Sequence, residues 1–139
     1  MITDIFELRP RYGEVDQMGY VYHANYVTYC HQARNELLRK LGVDEIKLEN
    51  NHIILPVISF EINYRKPAHF DELITIKTTI RKVPKVRFSF EFEIKNEQNT
   101  LLSIAKSTVV FVDSRSRLPK NIPDFIENIL KTKFKSDIP

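Results

Sequence analysis

Apolar and polar residues alternate in three runs along the middle of the chain. Ile58, Phe60, Ile62 and Tyr64 alternate with Ser59, Glu61, Asn63 and Arg65. Ile74, Ile76, Thr78 and Ile80 alternate with Thr75, Lys77, Thr79 and Arg81. Phe88, Phe90, Phe92 and Ile94 stand against Arg87, Ser89, Glu91, Glu93 and Lys95. Successive side chains of a strand point to opposite faces, so each run predicts a strand with one covered face. A fourth run, 101–112, is apolar on both faces at its far end, from Val109 to Val112. That pattern predicts a central or interface strand. Turn-like breaks at Lys66-Pro67, Val83-Pro84 and 96–100 separate the four.

A different period precedes them. Tyr26, Tyr29, Cys30, Ala33, Leu37 and Leu41 recur at three- and four-residue steps and predict a helix over 26–41. Asn25 is a good N-cap for it, and Gly42 suits the left-handed residue that ends a helix. Such a helix would be about 25 Å long, enough to cross one face of a sheet. Residues 5–15 read as an extended edge piece interrupted by Pro10, residues 42–51 as an irregular connector, and 123–131 as a short closing helix. The order is strand, long helix, then four antiparallel strands. The helix covers the face that carries Phe88, Phe90 and Phe92. The expected class is α+β, one long helix wrapped by a curved antiparallel five-stranded sheet. The sheet keeps an edge and a partly apolar outer surface that oligomerisation would bury.

Size and composition narrow the function. With 139 residues, 42% hydrophobic and 28% charged, the chain suits a single globular domain over 1–139, without repeats or linkers. No apolar run is long enough to span a bilayer, and the first residues lack a signal-peptide pattern, so the expected location is cytoplasmic. A net charge of +3 is too small to argue for nucleic acid, and no basic stripe with interleaved aromatics appears. The lysines at 131, 133 and 135 fit a solvated helix face. Cys30 is the only cysteine and lies on the apolar helical stripe, which points to core rather than nucleophile. His23, His31, His52 and His69 have no metal-ligand spacing, so no metal is expected. There is no GxSxG for a serine hydrolase, and three glycines in all exclude Gly-rich phosphate loops.

Chemistry concentrates between Arg11 and Leu41. Asp16 is followed by Gly19, and a helix begins within a turn or two. This sets a carboxylate near free backbone N–H groups and the positive end of a helix dipole. Such amides can bind a thioester carbonyl oxygen as it becomes an oxyanion, while the carboxylate attacks the carbon or activates water. Spacing alone equally suits an aspartate that caps the helix or stabilises a turn.

The segment DQMGYVYHANY, followed by ARNELLRKLG, resembles the 4-hydroxybenzoyl-CoA thioesterase-like branch of the hotdog superfamily. Asp16, Gly19, Val21, Tyr22, His23, Asn25 and Tyr26 carry the first block, and Tyr64, Arg65, Pro67, Ala68, Asp71 and Leu73 the second. Leu118-Pro119 and Ile122-Pro123 resemble the usual ending. The resemblance implies the hotdog fold and an acyl-CoA thioesterase. Asp16 would be the catalytic carboxylate, the backbone N–H of His23 would polarise the carbonyl, and Gly19 would let the loop approach the substrate. One departure is His31, where the family often has Glu facing the pocket region.

No cofactor is expected beyond coenzyme A as part of the substrate. Its phosphates ask for cations, from Arg65, Lys66, Arg81, Lys82, Lys85 and Arg87. Lys82, Lys85 and Arg87 are preferred because they surround one turn, and the resemblance implies that such groups often come from a neighbouring subunit. The pocket would lie between subunits of a dimer or tetramer, lined near Tyr22, Asn25, Tyr26, Tyr29, Val57 and Ser59. Two alternatives are a non-catalytic acyl-thioester binding protein and a hotdog dehydratase. The second generally needs a histidine working with a carboxylate.

Overall fold

The period-two runs pair into one antiparallel sheet. The computed structural model describes residues 1–136. Its elements are β1 (Ile2–Leu8), α1 (Asn25–Lys40), α2 (Glu45–Asn50), β2 (Ile53–Ile54), β3 (Val57–Tyr64), β4 (Ile74–Ile80), β5 (Arg87–Lys95), β6 (Leu101–Val110), β7 (Val112–Asp113) and α3 (Asp124–Ser136). The sheet order is β1-β4-β5-β6-β3, and β2 pairs with β7 separately. The fold is α+β, as predicted. Among the described residues no helix is long and apolar enough to cross a membrane.

Four boundaries differ from expectation. Strand β1 lies earlier than 5–15, pairing Ile2 with Ile80 and Leu8 with Ile74. It stops short of Pro10, which has no N–H for the ladder. Residues 42–51 are not irregular throughout, because Asp44 accepts a 2.8 Å bond from the Lys47 N–H and so caps α2. Helix α3 runs to Ser136 rather than Lys131. Asn25 is not the N-cap of α1, since Ala24 holds that place with no side-chain cap. Asn25 is instead the first helical residue.

Helix α1 packs against β1 and β4. Its buried stripe, Tyr26, Tyr29, Cys30, Ala33, Leu37 and Leu38, joins a core containing Ile74, Ile76, Ile80, Phe88, Phe90, Phe92 and Ile94. Phe88 also stacks on Phe111 at 5.6 Å. The all-apolar end of β6 is buried because the strand is central, between β5 and β3. Strand β3, by contrast, is an outer strand. Val57, Ile58 and Tyr64 on it are about half exposed.

Two predictions follow from the core. Phe90 is completely buried, so Phe90→Ala should cost about 3–5 kcal/mol in urea denaturation; a loss below about 1 kcal/mol would contradict this packing. Cys30 is 1% exposed and its thiol is pushed up to about 12 by burial. Iodoacetamide at neutral pH should leave native protein unlabelled and label it in urea. Because the raised pKa favours the neutral thiol in the fold, this group's contribution to stability is lost as pH rises past the ordinary thiol range towards about 12.

Candidate active site

Asp16 builds the turn in which it sits. Its Oδ1 accepts hydrogen bonds from the backbone N–H of Met18 at 2.9 Å and of Tyr20 at 3.2 Å. Its N–H donates to the Tyr20 carbonyl at 2.7 Å, and its own carbonyl accepts from Gly19 at 3.0 Å. Gly19 has φ of 81°, a left-handed conformation that favours glycine. A Cβ there would meet nothing within 4 Å, so within one chain the requirement is conformational and not one of space. Asp16 is half-buried, and its second oxygen, Oδ2, takes no bond from the described residues.

The chain then runs into α1. The N–H groups of Asn25, Tyr26 and Val27 donate to the carbonyls of Tyr22, His23 and Ala24. The first helical amides are thus engaged in a tight turn. Among the described residues, the N–H groups of His23 and Ala24, one step earlier, have no acceptor. The Tyr64 hydroxyl donates to the His23 carbonyl at 3.0 Å and tethers this segment to the end of β3.

Glu14 ties the other side. Its carbonyl accepts from the Tyr22 N–H at 2.9 Å and from Asn25 Nδ2 at 2.8 Å. Its Oε1 accepts from the Arg11 N–H at 2.7 Å and from the Tyr29 hydroxyl at 3.1 Å. Burial raises the Glu14 pKa, but the Arg11 and Tyr29 hydrogen bonds with the Arg11 charge outweigh it, leaving the carboxyl below its ordinary value. Tyr26 is raised by burial first, although the Ala68 N–H bonded to its hydroxyl opposes this. Tyr29 is raised by burial and then by Glu14. Both phenols therefore stay protonated at neutral pH and are unsuited to act as bases.

A cleft of about 300 Å³ opens over this segment. Asp16, Met18, Tyr20, Val21 and His23 line it from the loop, with Tyr26 from α1 and residues 64–67 from the end of β3. Asp16 and His23 thus face one space. Of the other expected residues, Tyr26 reaches the cleft only as a buried wall. Tyr22 is 48% exposed and lies against the His23 ring at 4.4 Å, outside the lining. Asn25 and Tyr29 serve Glu14 and do not border the cleft.

Val57 and Ser59 lie at the opposite end of β3 from Tyr64, roughly 20 Å away along an extended strand. Lys82, Lys85 and Arg87 are also remote within one chain. Arg87 pairs with Val110, whose N–H bonds the Pro56 carbonyl at the start of β3. The cations at the cleft are Arg65 and Lys66.

His31 does not line the cleft either. Its ring meets Arg34 Nη2 at 3.1 Å and Asn35 Nδ2 at 3.1 Å. Burial and then the Arg34 charge lower its pKa, against the pull of Glu45. Glu14 is the residue that sequence reasoning missed, and a lone glutamate in a loop carries no periodic signal. Among the described residues no three His, Cys, Asp or Glu side chains gather where a metal ion could be held.

Comparisons with known proteins bear on the fold and the activity. The profile of the thioesterase-like superfamily matches residues 10–130. The chain is 33% identical over 123 residues to the putative acyl-CoA thioesterase YneP of Bacillus subtilis, covering 86% of this chain and 89% of that protein. It is 33% identical over 128 residues to the acyl-CoA thioester hydrolase YbgC of Escherichia coli, with 91% and 96% covered. Among solved structures, a DHNA-CoA thioesterase from Staphylococcus aureus superimposes with a TM-score of 0.88 at 30% identity, over 99% of this chain and 95% of that one. A helix laid on a five-stranded antiparallel sheet is thus shared in fold and sequence with proteins of one kind, and the chain belongs to the thioesterase-like superfamily, as a thioester hydrolase of hotdog fold.

Proposed function

We propose that the protein hydrolyses an acyl-CoA thioester in the cleft between Asp16 and the start of α1. The observation that carries this reading is that Asp16, with Oδ2 unengaged, and His23, with its N–H unengaged, line the same cleft. The thioester oxygen would accept from the His23 N–H, with the Ala24 N–H and the positive end of α1 alongside. These groups are fixed before the reaction, so they stabilise the developing oxyanion without reorganising.

Two routes balance. In one, Asp16 takes a proton from water, hydroxide adds to the carbonyl, the C–S bond breaks, and the thiolate of coenzyme A recovers the proton. In the other, Oδ2 attacks the carbonyl, the thiolate leaves, and water cleaves the resulting anhydride. Neither route asks for a cofactor. The apolar and tyrosine-rich walls suit a fatty or an aromatic acyl group.

A second copy would complete the site. Strand β3 is an open edge with exposed Val57, Ile58 and Tyr64. Two such edges paired antiparallel across a two-fold axis set the Val57 end of one beside the Tyr64 end of the other. Ser59, Lys85 and Arg87 of the second copy then come towards the cleft that already holds Arg65 and Lys66. Lys82 shares the same β4–β5 connection as Lys85. This supplies cations for the coenzyme A phosphates.

Thiol release from short, long and aromatic acyl-CoAs tests the reaction. Asp16→Asn should keep the fold and lower kcat by roughly 10²–10⁴-fold; hydrolysis at the wild-type rate would overturn the assignment. Binding without release would favour a carrier, and water addition to an enoyl-CoA a dehydratase. For the cations, Lys85→Glu with Arg87→Glu should raise KM about tenfold and blunt its rise with added salt. An unchanged KM would remove them from the site.

A further inference from the structure

We propose that Glu14 is a positioning residue for the hydrolysis, acting through Asp16 and the amides of His23 and Ala24. The inference rests on the reading above and goes beyond it, because Glu14 does not line the cleft. Glu14 accepts four hydrogen bonds, two at its carbonyl and two at Oε1, and they join three separate parts of the site. The Arg11 N–H, bonded to Oε1, belongs to the chain before the Asp16 turn. The Tyr22 N–H, bonded to the Glu14 carbonyl, belongs to the chain after it. Asn25 Nδ2 and the Tyr29 hydroxyl come from the first and second turns of α1.

Asp16 and His23 are each next to this pin in the chain, Asp16 two residues past Glu14 and His23 one past Tyr22. Within the intervening loop, the remaining ties are the Val15–Val21 bridge, the bonds between Asp16 and its own turn, the Tyr20–His69 bridge and the bond from the Val21 N–H to the Ala68 carbonyl at 2.9 Å. Those ties hold the loop to itself and to residues 68–69, which reach α1 through the Ala68 N–H bonded to the Tyr26 hydroxyl. The Glu14 bonds hold the loop to the helix directly, on the side of the carboxylate. They therefore contribute to the distance between the carboxylate and the open amides.

The chemistry of the pin calls for an acceptor with reach. A backbone N–H can only donate, and the Tyr29 hydroxyl donates as well, so Oε1 must accept from both. Aspartate is one carbon shorter. Glutamine keeps an oxygen but loses the charge that strengthens both bonds. Displacing catalytic groups by about 1 Å can cost about 100-fold in rate, so a remote residue of this kind acts on kcat.

The test uses full-length Glu14→Ala and Glu14→Gln, alone and combined with Asp16→Asn. Glu14→Ala should lower kcat about 10- to 100-fold with KM within about twofold, and Glu14→Gln should recover part of the loss. In the Asp16→Asn background, Glu14→Ala should lower the residual rate by less than it lowers the wild-type rate, since the carboxylate it positions has lost its function and only the amides remain to be placed. A purely structural role predicts additive losses that track melting temperature. Independently of activity, amide hydrogen exchange at Met18 and Tyr20, the donors to Asp16, should quicken in Glu14→Ala while β4 and β5 stay protected. A wild-type kcat in Glu14→Ala, additive losses, or unchanged exchange at Met18 and Tyr20 would each overturn the proposal. If the wild type released no thiol from any acyl-CoA, the functional reading would fall, and exchange would still decide whether Glu14 holds Asp16.

Discussion

Burial of one helix against one sheet face governs the rest of this molecule. The stripe from Tyr26 to Leu38 is too apolar to face water, and the aromatic row on β5 needs a cover of similar length. Joining them satisfies both. It also fixes where the helix begins. The turn at residues 22–24 is locked by Tyr64 from β3 and by Glu14 from the preceding loop. The amides of His23 and Ala24, left without an acceptor among the described residues, follow from that placement, and Asp16 lines the same cleft as His23.

The sheet was legible because its strands obey a strict period and carry bulky residues on one side. Strand β1 was less so, and its own residues explain why. Asp4 is turned inward, where Lys40 meets it at 2.8 Å, while Ile5 is 52% exposed. A reading that sends apolar side chains inward shifts such a strand along the chain. Helix α2 was overlooked because its six residues give too little periodicity, although the Asp44 cap was in plain view.

The site was half legible. Asp16, Gly19 and His23 stood out through their motif, and they lie together in space. The cations divide within one chain. Lys82, Lys85 and Arg87 flank one turn, are assigned by the resemblance to a neighbouring subunit's cleft, and are remote from the cleft of their own chain. Arg65 and Lys66, at the end of β3, border it directly. Glu14 was invisible because its importance is a convergence of partners from distant positions, which one-dimensional spacing does not encode.

The double use of Asp16 Oδ1 has an evolutionary side. Asparagine offers the same oxygen to the Met18 and Tyr20 amides, so the loop keeps its shape when the acid becomes an amide. On the proposed reading, reactivity and architecture at this position are therefore separable by exchanging a single atom for an amino group. A descendant of this chain could stop being a catalyst and become a receptor for thioesters without rebuilding anything around it.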